Sequence, residues 1–121
     1  MENKVFTGRH ILIVEDEMMI LILIEEMLAD LGFASVTVAA TVEQALALID
    51  AQFFDAAMLD VNLNGSKSYP VAEALAARRV PFLFATGYSD HGLRDLYRDR
   101  PVLKKPYKPE ELVDGLAHLL S

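Results

Sequence analysis

The chain has no cysteine among its 121 residues. That absence removes thiol catalysis, disulfide scaffolds and thiolate-held zinc together. Positive charge is also scarce: 11 Lys and Arg stand against 18 Asp and Glu, a formal net charge of −7. A chain that acidic has no general electrostatic footprint for nucleic acid; it suits cations, or a basic surface on a protein partner. Long apolar runs are missing too. The longest, Met18 to Ile24, is seven residues, far below the roughly 20 needed to span a bilayer. Acids flank it, where a signal peptide carries basic residues. With no cysteine and no leader, a cytoplasmic protein without membrane contact is expected. There is no linker, low-complexity tract or tandem repeat. What is present is the composition of one globular domain, 53% hydrophobic and 24% charged, long enough to bury about two-thirds of its unfolded surface without a staple.

Apolar runs of strand length alternate with segments of helical period. His10 to Val14 is continuously apolar and ends in Glu15, Asp16 and Glu17. Unbroken apolarity marks a strand buried on both faces, the pattern of a parallel sheet. Met18 to Leu31 reads as a helix that is apolar nearly all round at its start, with Gly32 ending it, and Met18, Met19 and Met27 as core. Val36 to Ala39 is a second strand. Thr41 and Gln44 have capping-box spacing, and Val42, Ala45, Leu46 and Ile49 form the stripe of a second helix. Phe54 to Leu59 is a third strand ending at Asp60, and Asn62 to Gly65 a turn. Pro70 suits the first turn of a helix to about Arg79. Val80 to Ala85 is a fourth strand ending at Thr86 and Gly87. Residues 90–100 are a charged segment with Leu93, Leu96 and Tyr97 at helical spacing, read as a solvated face. Val102 to Lys105 is a short fifth strand, and Pro109 opens a last helix with an apolar face of Leu112, Val113, Leu116, Leu119 and Leu120. Five such pairs of about 24 residues fit βαβ crossovers. Five strands are too few for an eight-stranded barrel. An open, doubly wound parallel sheet remains, and such sheets bind ligands at the carboxyl ends of their strands.

Those ends carry chemistry. Glu15 and Asp16 follow the first strand, Asp60 the third, Thr86 the fourth and Lys105 the fifth. Clustered carboxylates repel, so a pKa rises unless a cation neutralises them. A hard dication such as Mg²⁺ does so through oxygen ligands. A lysine across the cluster and the Thr86 hydroxyl would attract phosphoryl oxygens. The set suits phosphoryl transfer onto a carboxylate. Taken singly, Asp60 and Thr86 are also ordinary turn residues, Lys105 an exposed strand end, and Glu17 a helix cap.

The segments Ile13-Val14-Glu15-Asp16-Glu17, Met58 to Gly65, Phe84-Ala85-Thr86-Gly87 and Leu103-Lys104-Lys105-Pro106-Tyr107 together resemble the receiver domain of two-component response regulators, over about Arg9 to Ser121. The resemblance implies a flavodoxin-like α/β fold, a five-stranded parallel sheet in the order 2-1-3-4-5 with helices on both faces, preceded by a tail at residues 1–8. It implies that Asp60 accepts a phosphoryl group from a histidine kinase or histidine phosphotransfer protein. Asp16 then binds Mg²⁺ directly, Glu15 beside it holds the metal through water, and the carbonyl of Asn62 completes the protein's ligands. Thr86 is the switch hydroxyl and Lys105 the phosphate-binding lysine, joined to Pro106 by a cis peptide bond; Lys104 faces solvent. Phe84-Ala85-Thr86-Gly87-Tyr88 is similar to a signature of alphaproteobacterial receivers, a subgroup that includes stand-alone regulators of the general stress response.

Three features depart from the common pattern. Thr86 and Lys105 are 19 residues apart, about one helical turn fewer than in many receivers. Val102 stands where many receivers carry an aromatic, which leaves Tyr88 as the proposed switch partner of Thr86. The side chains of Asn62 and Tyr88 occupy the positions that flank the acyl phosphate. The resulting expectation is a phosphoacceptor signalling domain that is not an enzyme, and a single-domain regulator, since no DNA-binding module follows Ser121 in this sequence. A receiver cut from a longer protein is the alternative. A Mg²⁺-dependent phosphatase with an Asp nucleophile usually has a second acid where Asn62 stands, and a nucleotide-binding module would need a Gly-rich loop after the first strand. His10, His91 and His118 are isolated and are assigned no role.

Overall fold

The computed structural model of the protein describes residues 4–87 and 100–121. Strands β1 (His10–Val14), β2 (Ser35–Ala39), β3 (Ala56–Asp60), β6 (Phe82–Thr86) and β7 (Val102–Lys104) pair in parallel in the order β2-β1-β3-β6-β7. Between β3 and β6 lies a small antiparallel hairpin, β4 (Asn62–Leu63) and β5 (Ser66–Lys67). With the hairpin set aside, the sheet order is the flavodoxin-like one. The helices are α1 (Met18–Asp30), α2 (Val42–Ala51), α3 (Tyr69–Ala77) and α4 (Pro109–Leu120). Residues 90–99, and with them most of the charged segment, lie outside the described residues, as does Tyr88. Of that segment Arg100 is described, and its guanidinium sits over the Phe82 ring at 4.4 Å, a cation–π contact where a solvated residue was expected.

Successive strand residues point to opposite faces, and the sheet uses this to build two cores. Leu12 and Val14 of β1, Ala57 and Leu59 of β3, and Phe82 and Phe84 of β6 pack with Ala45, Ile49, Val71 and Leu75 of α2 and α3. Ile11, Ile13, Met58 and Leu83 pack on the other face with Leu21, Ile24 and Leu28 of α1 and Leu112 and Leu116 of α4. Phe6, ahead of β1, is fully buried there and stacks on Phe33 at 4.9 Å. Gly115 lets α4 approach the sheet closely: a Cβ there would lie 3.0 Å from Leu83 Cδ2.

Three local expectations are corrected. Met18 and Met19 are not core; they are 65% and 78% exposed, and Ile22 and Leu23 beside them are exposed too. Only the Leu21, Ile24 and Leu28 stripe of α1 is buried, because one helix face is enough to cover the sheet. Glu17 occupies the position before α1, but its side chain makes no capping bond. At α2, Gln44 N–H donates to Thr41 Oγ1 at 3.1 Å as expected, whereas the Gln44 carboxamide accepts from Ala40 N–H, not Thr41.

Candidate functional site

The carboxyl edge of the sheet gathers the acids. Glu15 continues the ladder past β1, its N–H donating to Ala39 O at 3.0 Å. Its side chain is fully buried and folds back over the turn into α1. There its Oε2 accepts from the N–H groups of Asp16 (3.0 Å) and Glu17 (3.2 Å). Buried Glu15 therefore receives the backbone donors at the helix entrance, a task the sequence suggested for Glu17. Asp60, at the end of β3, is 5% exposed. One carboxylate oxygen of Asp60 accepts from Asn62 N–H at 3.3 Å. The other accepts from Lys105 Nζ at 2.7 Å, and the same ammonium donates to Glu15 Oε1 at 3.0 Å. Lys105 follows β7, tied to β6 by Lys105 N–H to Thr86 O at 2.8 Å, and the Lys105–Pro106 peptide is cis. Lys104, one residue earlier, is exposed.

Glu15, Asp16 and Asp60 each offer an oxygen, and these atoms lie within 4.8 Å of one another. Thr86 ends β6, the strand adjacent to β3, and is 6% exposed. Asn62 is half-buried beside Asp60, with its carboxamide oxygen held by Gly65 N–H at 2.9 Å. Asp16 is tied to the hairpin: Asn64 N–H donates to Asp16 Oδ2 at 3.0 Å. His10 Nδ1 pairs with Ser35 Oγ at 2.7 Å at the opposite end of β1, His118 is on α4, and His91 lies outside the described residues. Neither described histidine reaches the site.

The electrostatics follow from two buried acids, Glu15 and Asp60, sharing one ammonium, with Asp16 beside them. Burial is the largest influence on Glu15; the hydrogen bond and charge of Asp60 add to it, against the pull of Lys105 and the Glu17 N–H, and its pKa is pushed up to about 7 from 4.5. For Lys105 burial acts to lower the pKa, but its bonds to Asp60 and Glu15 outweigh burial and hold it above the usual lysine range. Burial, then the Glu15 charge, pushes Tyr107 up to about 12; its hydroxyl lies 3.8 Å from Met58 Sδ.

A pH dependence follows. In metal-free protein the folded state keeps on Glu15 a proton that the unfolded chain releases. The stabilisation is present below pH 4.5 and is lost as pH rises through about 7. Urea unfolding at about pH 5 and about pH 7.5 is expected to show this loss in the parent and a flatter response in Glu15→Gln. An equal loss in both proteins would assign the slope to another group.

The donor set is hard and anionic. Three carboxylates against one ammonium leave an excess of negative charge, which a dication with oxygen ligands neutralises. The residues present therefore fit a divalent cation.

This edge of acids around one ammonium, on a parallel sheet of this order, is the arrangement of a receiver. The chain belongs to the response regulator receiver domain family, whose match spans residues 11–117. It is 47% identical to SdrG from Sphingomonas melonis Fr1, in a solution structure with TM-score 0.76 covering 98% of this chain and 100% of that one. It is 49% identical to SdrG in the BeF3-activated conformation, reported from Pseudomonas melonis Fr1, with TM-score 0.78 over 95% and 98% of the two chains. The receiver domain of the sensor histidine kinase PA1611 from Pseudomonas aeruginosa PAO1 is 32% identical, with TM-score 0.79 over 94% and 98%; that protein has a magnesium ion coordinated in its active site cleft. Among curated proteins the search finds no match. No described helix is long and apolar enough to cross a membrane.

Proposed function

We propose that this receiver takes a phosphoryl group onto Asp60 from a histidine kinase or histidine phosphotransfer protein, in a Mg²⁺-dependent reaction, and acts as a single-domain regulator. The observation that carries the reading is the Asp60 carboxylate, held between Asn62 N–H and Lys105 Nζ with Glu15 and Asp16 beside it. In the transfer an Asp60 oxygen forms a bond to phosphorus as the donor's P–N bond breaks, and the imidazole leaves with the electron pair of that bond. Lys105 exchanges its bonds to carboxylates for bonds to phosphoryl oxygens. Asn62 N–H restrains the Asp60 carboxylate. Glu15, Asp16, Asp60 and the carbonyl of Asn62 are the proposed ligands of Mg²⁺, which supplies charge neutralisation for the incoming phosphoryl group. The Thr86 hydroxyl is the proposed sensor, with Tyr88 its partner. The unit is taken as residues 9–121, with Phe6 of the preceding segment packed against it.

Two further features support a protein partner. The exposed apolar start of α1, Met18, Met19, Ile22 and Leu23, directly follows Glu15 and Asp16, so a helical phosphodonor that covers it brings its histidine to Asp60. The net charge of −7 argues against a nucleic-acid partner. The Phe84 to Tyr88 signature supports a role in the general stress response, and a cytoplasmic location belongs to the same reading. A phosphatase with an Asp nucleophile has less support, because Asn62 stands at its second acid.

Intact-mass measurement after incubation with a small phosphodonor and Mg²⁺ tests the function. A gain of one phosphoryl group, lost when a chelator replaces Mg²⁺, is expected, together with no turnover of a phosphomonoester. Sustained phosphomonoester turnover would move the protein to the phosphatase class.

A further inference from the structure

The hairpin between β3 and α3 has more order than a connecting loop requires. Leu63 anchors it in the core at 3% exposure, and Ser68 N–H closes its base on Val61 O at 2.9 Å. At its tip Asn64 (φ 51°) and Gly65 (φ 89°) are both left-handed, between the paired residues Leu63 and Ser66. Two central residues of that conformation make a type I′ turn, for which Asn-Gly is the preferred pair. The two central N–H groups of such a turn point away from the strand ladder and need acceptors. Gly65 N–H finds the side chain of Asn62 at 2.9 Å. Asn64 N–H finds the carboxylate of Asp16 at 3.0 Å, across 48 residues of sequence. Every turn donor is thus committed, one to closing the turn and one to an acid of the site.

The geometry points to the Asn62–Gly65 turn as a positioning element for Asp16, with the side chain of Asn62 acting by closing the turn and Asn64 N–H by fixing the carboxylate in its cation-facing orientation. A charge-assisted bond to one oxygen holds the side-chain rotamer and leaves the second oxygen for the ion. In this role Asn62 differs from a residue whose side chain flanks the acyl phosphate, because its carboxamide oxygen is already engaged in the turn. The inference rests on the proposed Mg²⁺ site.

The test is Mg²⁺ affinity of the unphosphorylated protein, by calorimetry or by amide chemical shifts, in three variants. Asn62→Ala removes the acceptor for Gly65 N–H. Gly65→Ala forces a side chain into φ 89°, and since nothing lies within 4 Å of the added Cβ, backbone strain is its only effect. Both are expected to lose about tenfold in Mg²⁺ affinity, while Asn64→Gly, which keeps the N–H and the left-handed backbone, stays within about twofold of the parent. Amide exchange in the unaltered protein is a check that no misfolded variant can spoil: Asn64 N–H is expected to be protected, and more so with Mg²⁺. Parent-like affinity in both Asn62→Ala and Gly65→Ala overturns the inference, as does an Asn64 amide that exchanges at the rate of a free peptide. A parent chain that binds no Mg²⁺ at all overturns the cation reading itself, an outcome distinct from either.

Discussion

Asp60→Asn is expected to end phosphoryl acceptance completely while the domain remains folded. The carboxamide has the shape of the carboxylate, and its oxygen can still accept the Asn62 N–H that Asp60 Oδ1 receives at 3.3 Å. What is lost is the anionic nucleophile, and no neutral amide oxygen replaces it at useful rates. The change also alters the charge balance of the metal-free site. The hydrogen bond and charge of Asp60 are causes, after burial, of the raised Glu15 pKa. With Asp60 neutral, Lys105 serves Glu15 alone and repulsion between acids falls. Stability without divalent cations should therefore stay within about 1 kcal/mol of the parent, the net scale of one hydrogen bond. Intact mass after treatment with a small phosphodonor and Mg²⁺, together with urea unfolding, reads both parts. Stoichiometric labelling of the Asn variant would place the acceptor on another side chain of the cluster.

The architecture was legible in the sequence because a doubly covered parallel strand must be apolar at every position. His10 to Val14 and Phe82 to Ala85 have no other simple reading, and their polar ends identified the edge where Glu15, Asp16, Asp60, Thr86 and Lys105 stand. The start of α1 was misread for the complementary reason. Met18 to Ile24 is apolar all round, and composition does not reveal that the sheet covers one stripe and leaves Met18, Met19 and Leu23 in solvent. Strands of two residues carry no periodicity, so β4 and β5 were invisible, although Asn64-Gly65 between Leu63 and Ser66 was a hairpin signal. The resemblance put Asp16 on the metal with Glu15 beside it, and did not reveal that Glu15 is the more deeply buried of the two. The alternation of β1 held a clue: Ile11 and Ile13 face α1 and α4, and Glu15 keeps the ladder, so the same parity directs it toward Lys105.

The ammonium of Lys105 joins two buried carboxylates, at 3.0 Å from Glu15 and 2.7 Å from Asp60, so Lys105→Met should affect both stability and chemistry. Methionine keeps most of the aliphatic stem and deletes the charge. Breaking a fully buried ion pair on one side costs about 3–5 kcal/mol. Here Lys105 is 21% exposed and Glu15 can escape by taking a proton, so roughly 2 kcal/mol at neutral pH is the expected loss. Without the ammonium, the Glu15 pKa rises beyond about 7. The penalty should therefore shrink toward pH 5, where Glu15 is protonated with or without Lys105, and grow above neutrality. A dication neutralises the same carboxylates, so Mg²⁺ should raise the melting temperature of the variant more than that of the parent. It cannot replace the lysine's bonds to phosphoryl oxygens, and the rate of phosphoryl acceptance should fall about 100-fold or more, the scale of losing one charge-stabilising donor. Thermal melts with and without Mg²⁺ at two pH values, with the phosphorylation rate by intact mass, read these effects separately. Equal Mg²⁺ shifts in the two proteins would mean that the ion and the ammonium do not share carboxylates. A parent-like rate would leave Lys105 as a brace for the acids with no part in the transfer.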